Sequence, residues 1–202
     1  MDELVRQAMA KWPNVPHAYG WLGLGMRGDW YLRDEAAQAA GPFSGPGSSA
    51  ASRGSVLQLE KLVEFIGRNY LVDEQGRWYF QNGPQRVFVE LESTPWVLRV
   101  EQQGEGYKVC THTGLPAKVE RALCDEEGHV YLVTDHGLGL VHTLDTLVMA
   151  EAVEDVMWPL EDVQAASLPE RFGYRMSPQK DQQARFLHEK THQGCMTALG
   201  CL

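Results

Sequence analysis

The sequence predicts an α+β protein, with an antiparallel sheet built from repeated hairpin-plus-strand units and a few packed helices. The first observation is that "LVDEQGRWYF" at 71–80 recurs as "LCDEEGHVYL" at 123–132. The second is that short runs near both copies alternate between apolar and polar residues, which is typical of half-buried strands. The third is that apolar residues at helical spacing occur in only a few segments, which predicts few helices.

Composition limits the class of protein. The chain has 202 residues, 44% hydrophobic and 22% charged, which is enough for one generous domain or two small halves. There is no run of eighteen apolar residues, so no membrane span is expected. A net charge of -9 without any basic run argues against nucleic-acid binding. An acidic start and four sparsely spaced cysteines favour the cytoplasm and free thiols, and no cofactor is expected.

The first forty residues predict a helix and a hairpin. Apolar residues at helical spacing over 2–11 predict a helix, which Pro13 ends. The stretch "YGWLGLGMRGDWYLR" alternates around a glycine-containing turn and predicts a hairpin. Residues 41–54, rich in glycine, serine and proline, predict a flexible linker or a surface insertion.

The strongest helix signal begins at Ser55. Ser55 and Gln58 fit a capping box, in which the hydroxyl and the amide each satisfy a free backbone N–H. An apolar stripe then continues, so a helix is expected over 55–68.

The repeated stretch predicts two similar units. Residues 71–97 align with 123–149 without a gap and share seven identities in 27 positions, where composition alone would give roughly two. The shared D-E-x-G fits a type I turn followed by a left-handed glycine. The expected units are 55–110 and 111–160. The alternative is a common turn that happens to occur twice.

The end of the chain gives weaker signals. Asp145 is expected to cap a helix over 145–157, which the Trp158–Pro159 pair ends. Residues 161–202 are expected to be an extension that docks over the core or is partly disordered.

The tail contains a possible set of zinc ligands. Their spacing is H-x3-H-x2-C-x5-C, formed by His188, His192, Cys195 and Cys201. Two histidines four residues apart lie on one helix face, and thiolates suit zinc. The usual C-x2-C pair is missing, so we expect a solvated tail that binds no metal.

Two cysteines have histidines nearby in sequence. Cys110 with His112, or Cys124 with His129 and His136, could form a nucleophile pair. Cys124 more simply fills a small apolar position, as free cysteine often does.

Two carboxylates could serve as an acid and a base. Glu90 and Glu92 lie two apart on one strand face, where burial could separate their pKa values. A solvated strand face is the simpler explanation.

The best candidate for a binding site is the loop "QNGPQR" at 81–86, because the two copies have identities before and after it and none within it. We expect Asn82, Gln85 and Arg86 to form the edge of a ligand or partner site, together with exposed surface from Trp78 or Trp96. The alternative is a plain hairpin turn, with Arg86 solvated or paired with a nearby glutamate.

The chain also resembles a known family. The stretches "KWPNVPHAYGWLGL", "FIGRNY" and above all "GRWYFQNGPQRVFVELESTPWVLR" resemble a proteobacterial domain-of-unknown-function family over roughly 3–150. That resemblance implies a soluble cytoplasmic bacterial protein and transfers no catalytic residue. The pattern is also similar to a second uncharacterised bacterial family, with an α+β fold of repeated motifs and a suggested signalling role. The segment 41–54 and the tail depart from the first family.

These observations favour a non-enzymatic binding or regulatory module whose partner, a small molecule or a protein, is not identified by the sequence. The alternative is a small-molecule enzyme, hydrolase-like, with no assignable catalytic residue. An enzyme should have a deep pocket with converging polar groups and perturbed ionisable residues. A binding module should have a shallow groove, an exposed apolar patch or an open sheet edge.

Overall fold

A computed structural model describes residues 1–154 and 157–187, and within them the chain forms two six-stranded sheets and seven α-helices. The strands are β1 (Ala18–Leu24), β2 (Trp30–Leu32), β3 (Ser55–Val56), β4 (Tyr70–Val72), β5 (Trp78–Asn82), β6 (Gln85–Leu91), β7 (Trp96–Gln103), β8 (Gly106–Thr111), β9 (Val119–Cys124), β10 (Val130–Thr134), β11 (Gly137–Val141) and β12 (Leu160–Asp162). The helices are α1 (Glu3–Lys11), α2 (Glu35–Ala39), α3 (Ala50–Arg53), α4 (Glu60–Arg68), α5 (Thr146–Glu154), α6 (Leu168–Arg171) and α7 (178–187).

Five strands follow the same order in the two sheets, and the sixth is added at opposite edges. The first sheet runs β3-β2-β1-β6-β5-β4, and the second runs β8-β7-β11-β10-β9-β12. In each sheet one parallel pair, β1 with β6 and β7 with β11, lies between antiparallel hairpins. The α+β class is therefore confirmed, but the sheets are mixed rather than wholly antiparallel. Alternation along a strand reports which face is buried and carries no information about the direction of the neighbouring strand.

The strands are divided between the sheets differently from the expected units. The first hairpin, β1 and β2, joins β4 to β6 in one sheet, while β7 and β8 join the second sheet. The expected boundary after residue 110 places β7 and β8 with the first unit, because sequence order alone suggests that neighbouring strands pair.

Both D-E-x-G segments form the turn that the sequence predicts. In each, the aspartate N–H bonds to the carbonyl four residues on, at 3.1 Å for Asp73 and 3.0 Å for Asp125, and the glycine N–H bonds back to the aspartate carbonyl. Gly76 and Gly128 have φ values of +75° and +82°, the left-handed region that favours glycine. The turn at 25–29 repeats these bonds with Gly28.

The inner faces of the sheets meet in one apolar core that is rich in aromatic rings. Trp96 of the second sheet contacts Trp78 and Tyr70 of the first, with ring centroids 5.1 and 5.3 Å apart. His112 joins this cluster, and its Nδ1 accepts the backbone N–H of Val97 at 3.2 Å. Burial lowers the pKa of His112 to about 3, so its imidazole is neutral at physiological pH.

Segment 41–54 packs on the first sheet. This packing is expected of a surface insertion and not of a flexible linker. Phe43 is 2% exposed and lies against Gly23 of β1. Ser52 and Ser49 form the capping box of α3. Arg33, at the end of β2, holds the segment by donating to backbone carbonyls on both sides of it.

Two helix starts differ from the prediction. Ser55 belongs to β3, and α4 begins at Glu60 with no side-chain cap, so the capping-box prediction at Ser55 was wrong. Asp145 does not cap a helix either. It lies in a 3-10 turn, Thr143–Asp145, and its carboxylate bonds to Arg99 at 2.6 and 2.9 Å and to the N–H of Val100 at 3.0 Å. In both cases a tertiary contact outweighs the local signal.

The C-terminal extension docks on both sheets. Strand β12 pairs in parallel with β9. At the start of α7, the Glu90 carboxylate accepts the Ser177 hydroxyl and, at 2.9 Å, the N–H of Gln179. The rest of the expected extension, residues 188–202, lies outside the described residues, and with it the possible metal ligands His188, His192, Cys195 and Cys201.

Candidate functional site

An open apolar groove lies on the inner face of the first sheet, beside α4. Its volume is about 510 Å³, and it is lined by Ala18, Trp21, Leu22, Leu32, Leu62, Ile66, Phe80, Asn82, Gln85 and Val87. Eight of these ten side chains are apolar, and none is charged. A concave, mostly apolar surface with a few polar groups is the usual form of a ligand site.

The groove is lined by a small residue whose counterpart in the second sheet is large. Ala18 pairs with Val87 in the first sheet, and Trp96 pairs with Gly139 in the second. Since Val87 and Gly139 are 52 residues apart, Ala18 and Trp96 have matching partners, although β1 has a register shift between Ala18 and Leu22. The Trp96 indole is 5% exposed and donates to the carbonyl of His136 at 2.8 Å. The Trp96 indole thus occupies, in the second sheet, the space that corresponds to the open groove beside Ala18 in the first sheet.

A ridge of two exposed apolar side chains borders the groove. Trp21 and Leu32 are 44% and 47% exposed. A second depression of about 640 Å³ lies on the other side of this ridge, bordered by Arg33, Asp34 and Ser55. Large apolar side chains exposed together beside concave surfaces are typical of binding sites.

Two residues of the predicted loop site line one end of the groove. Asn82 is exposed, and Gln85 is half-buried, with its Nε2 donating to the carbonyl of Pro16 at 3.0 Å. These amides are the polar groups that could orient a bound ligand.

Arg86 lies away from the groove. Its guanidinium stacks on the ring of Tyr79 at 4.7 Å, and it forms no ion pair with any described residue. The nearby glutamates are engaged elsewhere, because Glu92 pairs with Arg53 and Glu90 holds the start of α7.

The two predicted tryptophans are not exposed at the loop. Trp96 is buried and Trp78 is half-buried, and they contact each other in the core between the sheets. The structure therefore brings together Asn82 and Gln85 but separates them from both tryptophans. Sequence reasoning missed Leu32, and it considered Trp21 only as one of six tryptophans that could line a groove, with core packing favoured for all of them.

A second cleft, of about 330 Å³, contains titratable groups. Its Asp125 carboxylate accepts the Tyr131 hydroxyl at 2.8 Å and lies 3.1 Å from Nδ1 of His129. Burial alone would raise the pKa of Asp125, but hydrogen bonds from Tyr131 and from the N–H groups of His129 and Glu127 outweigh it and lower that pKa. An aspartate beside a histidine can serve acid–base chemistry.

Comparison with the first sheet indicates that Asp125 supports a turn. At the matching position, Asp73 accepts the N–H groups of Gln75 and Arg77 at 3.0 Å and pairs with the Arg77 side chain at 2.7 Å. The same role at both turns, with either arginine or histidine as partner, indicates a structural carboxylate rather than a catalytic one.

The predicted cysteine nucleophiles lack activation. Burial raises the pKa of the Cys124 thiol, and the Asp125 carboxylate raises it further. His112, the neighbour of Cys110, uses its Nδ1 as an acceptor for a backbone N–H.

The fold should lose stability in acid. The pKa values of Asp73, Asp125 and Asp145 are lowered, because hydrogen bonds to the ionised forms outweigh burial. A lowered folded-state pKa contributes stability above the unfolded value of about 4, and this contribution is lost as pH falls through the folded value. Burial raises the pKa of Glu90, so that this single group has the opposite dependence on pH.

We therefore expect the melting temperature to fall between about pH 5 and pH 3, and Asp125→Asn to show a shallower fall. Thermal melts at half-unit steps test this. A melting temperature that stays constant over the range would contradict the expectation.

The described ranges, 1–154 and 157–187, show no sign of a metal site or of a helix that spans a membrane. These residues contain no cluster of three or more His, Cys, Asp or Glu side chains suited to a metal ion. None of the helices in these ranges combines the length and the apolar character needed to cross a bilayer.

Fold and groove together define an α+β protein with two mixed sheets and an open apolar site on one of them. The chain belongs to the family DUF2944, described as "Protein of unknown function (DUF2946)", whose model matches residues 1–179. No curated protein matches the sequence.

Two solved structures are similar in fold. A DUF1285 family protein from Shewanella baltica OS155 is 14% identical, with a TM-score of 0.43, covering 65% of this chain and 91% of the other. A DUF1285 family protein from Silicibacter pomeroyi DSS-3 is 15% identical, with a TM-score of 0.44, covering 75% and 84% respectively.

Proposed function

We propose that this protein is a non-enzymatic binding or regulatory module, and that the groove beside α4 holds a small molecule with an apolar body and one hydrogen-bonding end. The observation that carries the proposal is the open space at Ala18, which the matching position of the second sheet fills with Trp96. Leaving apolar surface uncovered forgoes the stabilisation that burial provides. A bound ligand would recover it.

The shape and chemistry of the groove support this class of ligand. Its volume lies within the range of small-molecule sites. Uncharged walls would accept an apolar body, while the amides of Asn82 and Gln85 at one end would bond to a carbonyl or hydroxyl.

The enzyme alternative has less support. An enzyme requires converging groups with perturbed pKa values at a pocket. The groove contains no ionisable side chain, and the aspartate of the second cleft has the turn-supporting role that Asp73 shares.

We further propose that the two sheets arose by duplication of a unit that contains the D-E-x-G turn. The shared order of five strands, the shared turn bonds and the 27-residue alignment support this. In this proposal one copy kept an open groove while the other became filled core. A bacterial cytoplasmic location is also proposed, on the family resemblance.

Filling the groove should abolish binding. The probe is the apolar fluorescent dye 8-anilinonaphthalene-1-sulfonate, and the variant is Ala18→Phe, whose ring would occupy the space above Val87. We expect its affinity for the dye to fall at least about tenfold, because the ring removes most of the apolar contact area. Fluorescence titration measures this.

The matched control is Ala10→Phe, which adds the same ring at an exposed position of α1 and should leave dye affinity unchanged. Trp21→Ala should weaken binding several-fold through loss of the ridge. Equal affinity of the wild type and Ala18→Phe, with both proteins folded, would refute the groove as the binding site.

A further inference from the structure

The two sheets differ at both edges, and the edge formed by β4 and β9 is the one that concerns binding. Strand β9 is covered on its outer side by β12, which runs parallel to it, whereas its counterpart β4 is the last strand of the first sheet. Val72 of β4 is 46% exposed. An uncovered strand presents backbone groups that can pair with another chain.

The hydrogen bonds between β9 and β12 identify which backbone groups face outward. The N–H of Ala122 donates to the carbonyl of Pro159 at 2.9 Å, and the carbonyl of Cys124 accepts the N–H of Val163 at 2.9 Å. In the first sheet, the residues at the matching positions are Tyr70 and Val72.

The strand register supports this match. Leu71 pairs with Tyr79 as Leu123 pairs with Tyr131, and the aspartate N–H of each following turn bonds inward. Because hydrogen-bonding direction alternates along a strand, the backbone of Val72 points away from the sheet, as that of Cys124 does.

The glutamate of the repeated turn adds a second observation. In the second sheet, Glu126 Oε2 accepts the N–H of Ala165 at 2.9 Å and thereby holds the chain just after β12. Its counterpart, Glu74, is exposed and bonds to no other described residue. A cavity of about 620 Å³ lies beside it, bordered also by Gly173 and Arg175.

We propose that β4 binds an extended peptide segment of a partner protein as an added parallel strand, and that Glu74 accepts a backbone N–H just beyond that strand. The backbone of the bound segment follows the same path along β4 that residues 158–166 follow along β9. Its end enters the cavity beside Glu74. Main-chain bonds supply the affinity in this mode of recognition. The inference does not depend on the groove, which lies on the inner face next to α4.

The experiment uses the full chain and a fluorescently labelled synthetic peptide, WPLEDVQAA, which copies residues 158–166. Fluorescence anisotropy should show saturable binding to the wild-type protein. Hydrogen exchange should show new protection at the Val72 amide. Loss of protection at the Val163 amide, which bonds to the Cys124 carbonyl in the free protein, would instead mean that the peptide replaces β12, and this would overturn the proposal.

Two variants test the contacts. Val72→Pro removes the outward N–H and is tolerated at an edge strand, so peptide affinity should fall at least about tenfold. Glu74→Ala removes the proposed acceptor and should weaken binding about threefold to tenfold. The control Glu105→Ala removes an exposed carboxylate from the turn between β7 and β8 and should change nothing.

A second reagent covers the case in which Val72→Pro fails to fold. A peptide with N-methyl groups on the amides of its valine and first alanine, the counterparts of Val163 and Ala165, cannot donate to Val72 or Glu74. It should fail to bind the wild-type protein. No binding of WPLEDVQAA, or equal binding of the methylated peptide, would overturn the proposal.

Discussion

Gly76→Ala is expected to destabilise the fold by several kcal/mol, whereas Gly128→Ala should cost only about 1–2 kcal/mol. Both glycines close a D-E-x-G turn with similar positive φ, so both substitutions carry the same left-handed strain. They differ in their surroundings. A Cβ at Gly76 would lie 1.9 Å from the carbonyl oxygen of Gly173, while one at Gly128 would meet nothing within 4 Å.

The additional cost at Gly76 comes from displacing a segment that holds the sheet. The N–H of Arg175 donates to the carbonyl of Gly76 at 2.9 Å, and Tyr174 is 5% exposed in the core. An added methyl group forces this segment away, which costs both the hydrogen bond and apolar burial.

Urea unfolding of the two alanine variants measures the difference directly, because each serves as the other's control for backbone strain. Equal losses would show that the contact between the turn and residues 173–175 contributes nothing. A larger loss at Gly128 would contradict the equivalence of the two turns.

Arg33→Ala is expected to lower the free energy of unfolding by about 3–5 kcal/mol. The side chain is 1% exposed, and its guanidinium donates to the carbonyls of Ser52 at 2.7 Å, Gly41 at 2.6 Å and Gly20 at 3.1 Å. Hydrogen bonds from charged groups contribute about 1.5–3 kcal/mol each, and buried carbonyls left without a donor add a further cost.

The loss should be concentrated in segment 41–54, because Arg33 joins both ends of that segment to the first sheet. We expect limited proteolysis to cut the variant first within 41–54. Arg33→Lys should fall between the wild type and the alanine variant, since an ammonium keeps the charge but not the planar fork.

The control is Arg6→Ala, which removes an exposed arginine of α1 and should change stability by less than about 0.5 kcal/mol. An Arg33→Ala protein with wild-type stability and an uncut segment would show that the buried network does not hold the insertion.

The sequence could predict the elements whose causes are local. The D-E-x-G turns follow from aspartate and glycine at fixed offsets, and the structure shows the predicted bonds at both. The helix expected over 2–11 is observed as Glu3–Lys11. The first hairpin was also expected, because alternation around a glycine turn is complete within fifteen residues.

The wrong predictions concern side chains that bond or pair with residues distant in sequence instead of capping a nearby helix. Asp145 looked like a helix cap, yet its carboxylate bonds to Arg99 and Val100, 46 and 45 residues away in sequence. Ser55 looked like a cap, yet it pairs with Leu32 as part of an edge strand. A local signal cannot show that a tertiary partner will compete for the same side chain.

What the sequence determined by itself is the turn chemistry, the α+β class and the loop residues Asn82 and Gln85 as binding candidates, since all three depend on short-range patterns. Only the tertiary structure decided that these amides border a groove. The groove depends on the parallel pairing of β1 with β6, which places Ala18 beside Val87. The corresponding pairing of β7 with β11 places Trp96 beside Gly139. Sequence spacing cannot show that Ala18 corresponds to Trp96, because strand pairing is a long-range choice and the two residues lie outside the aligned turns.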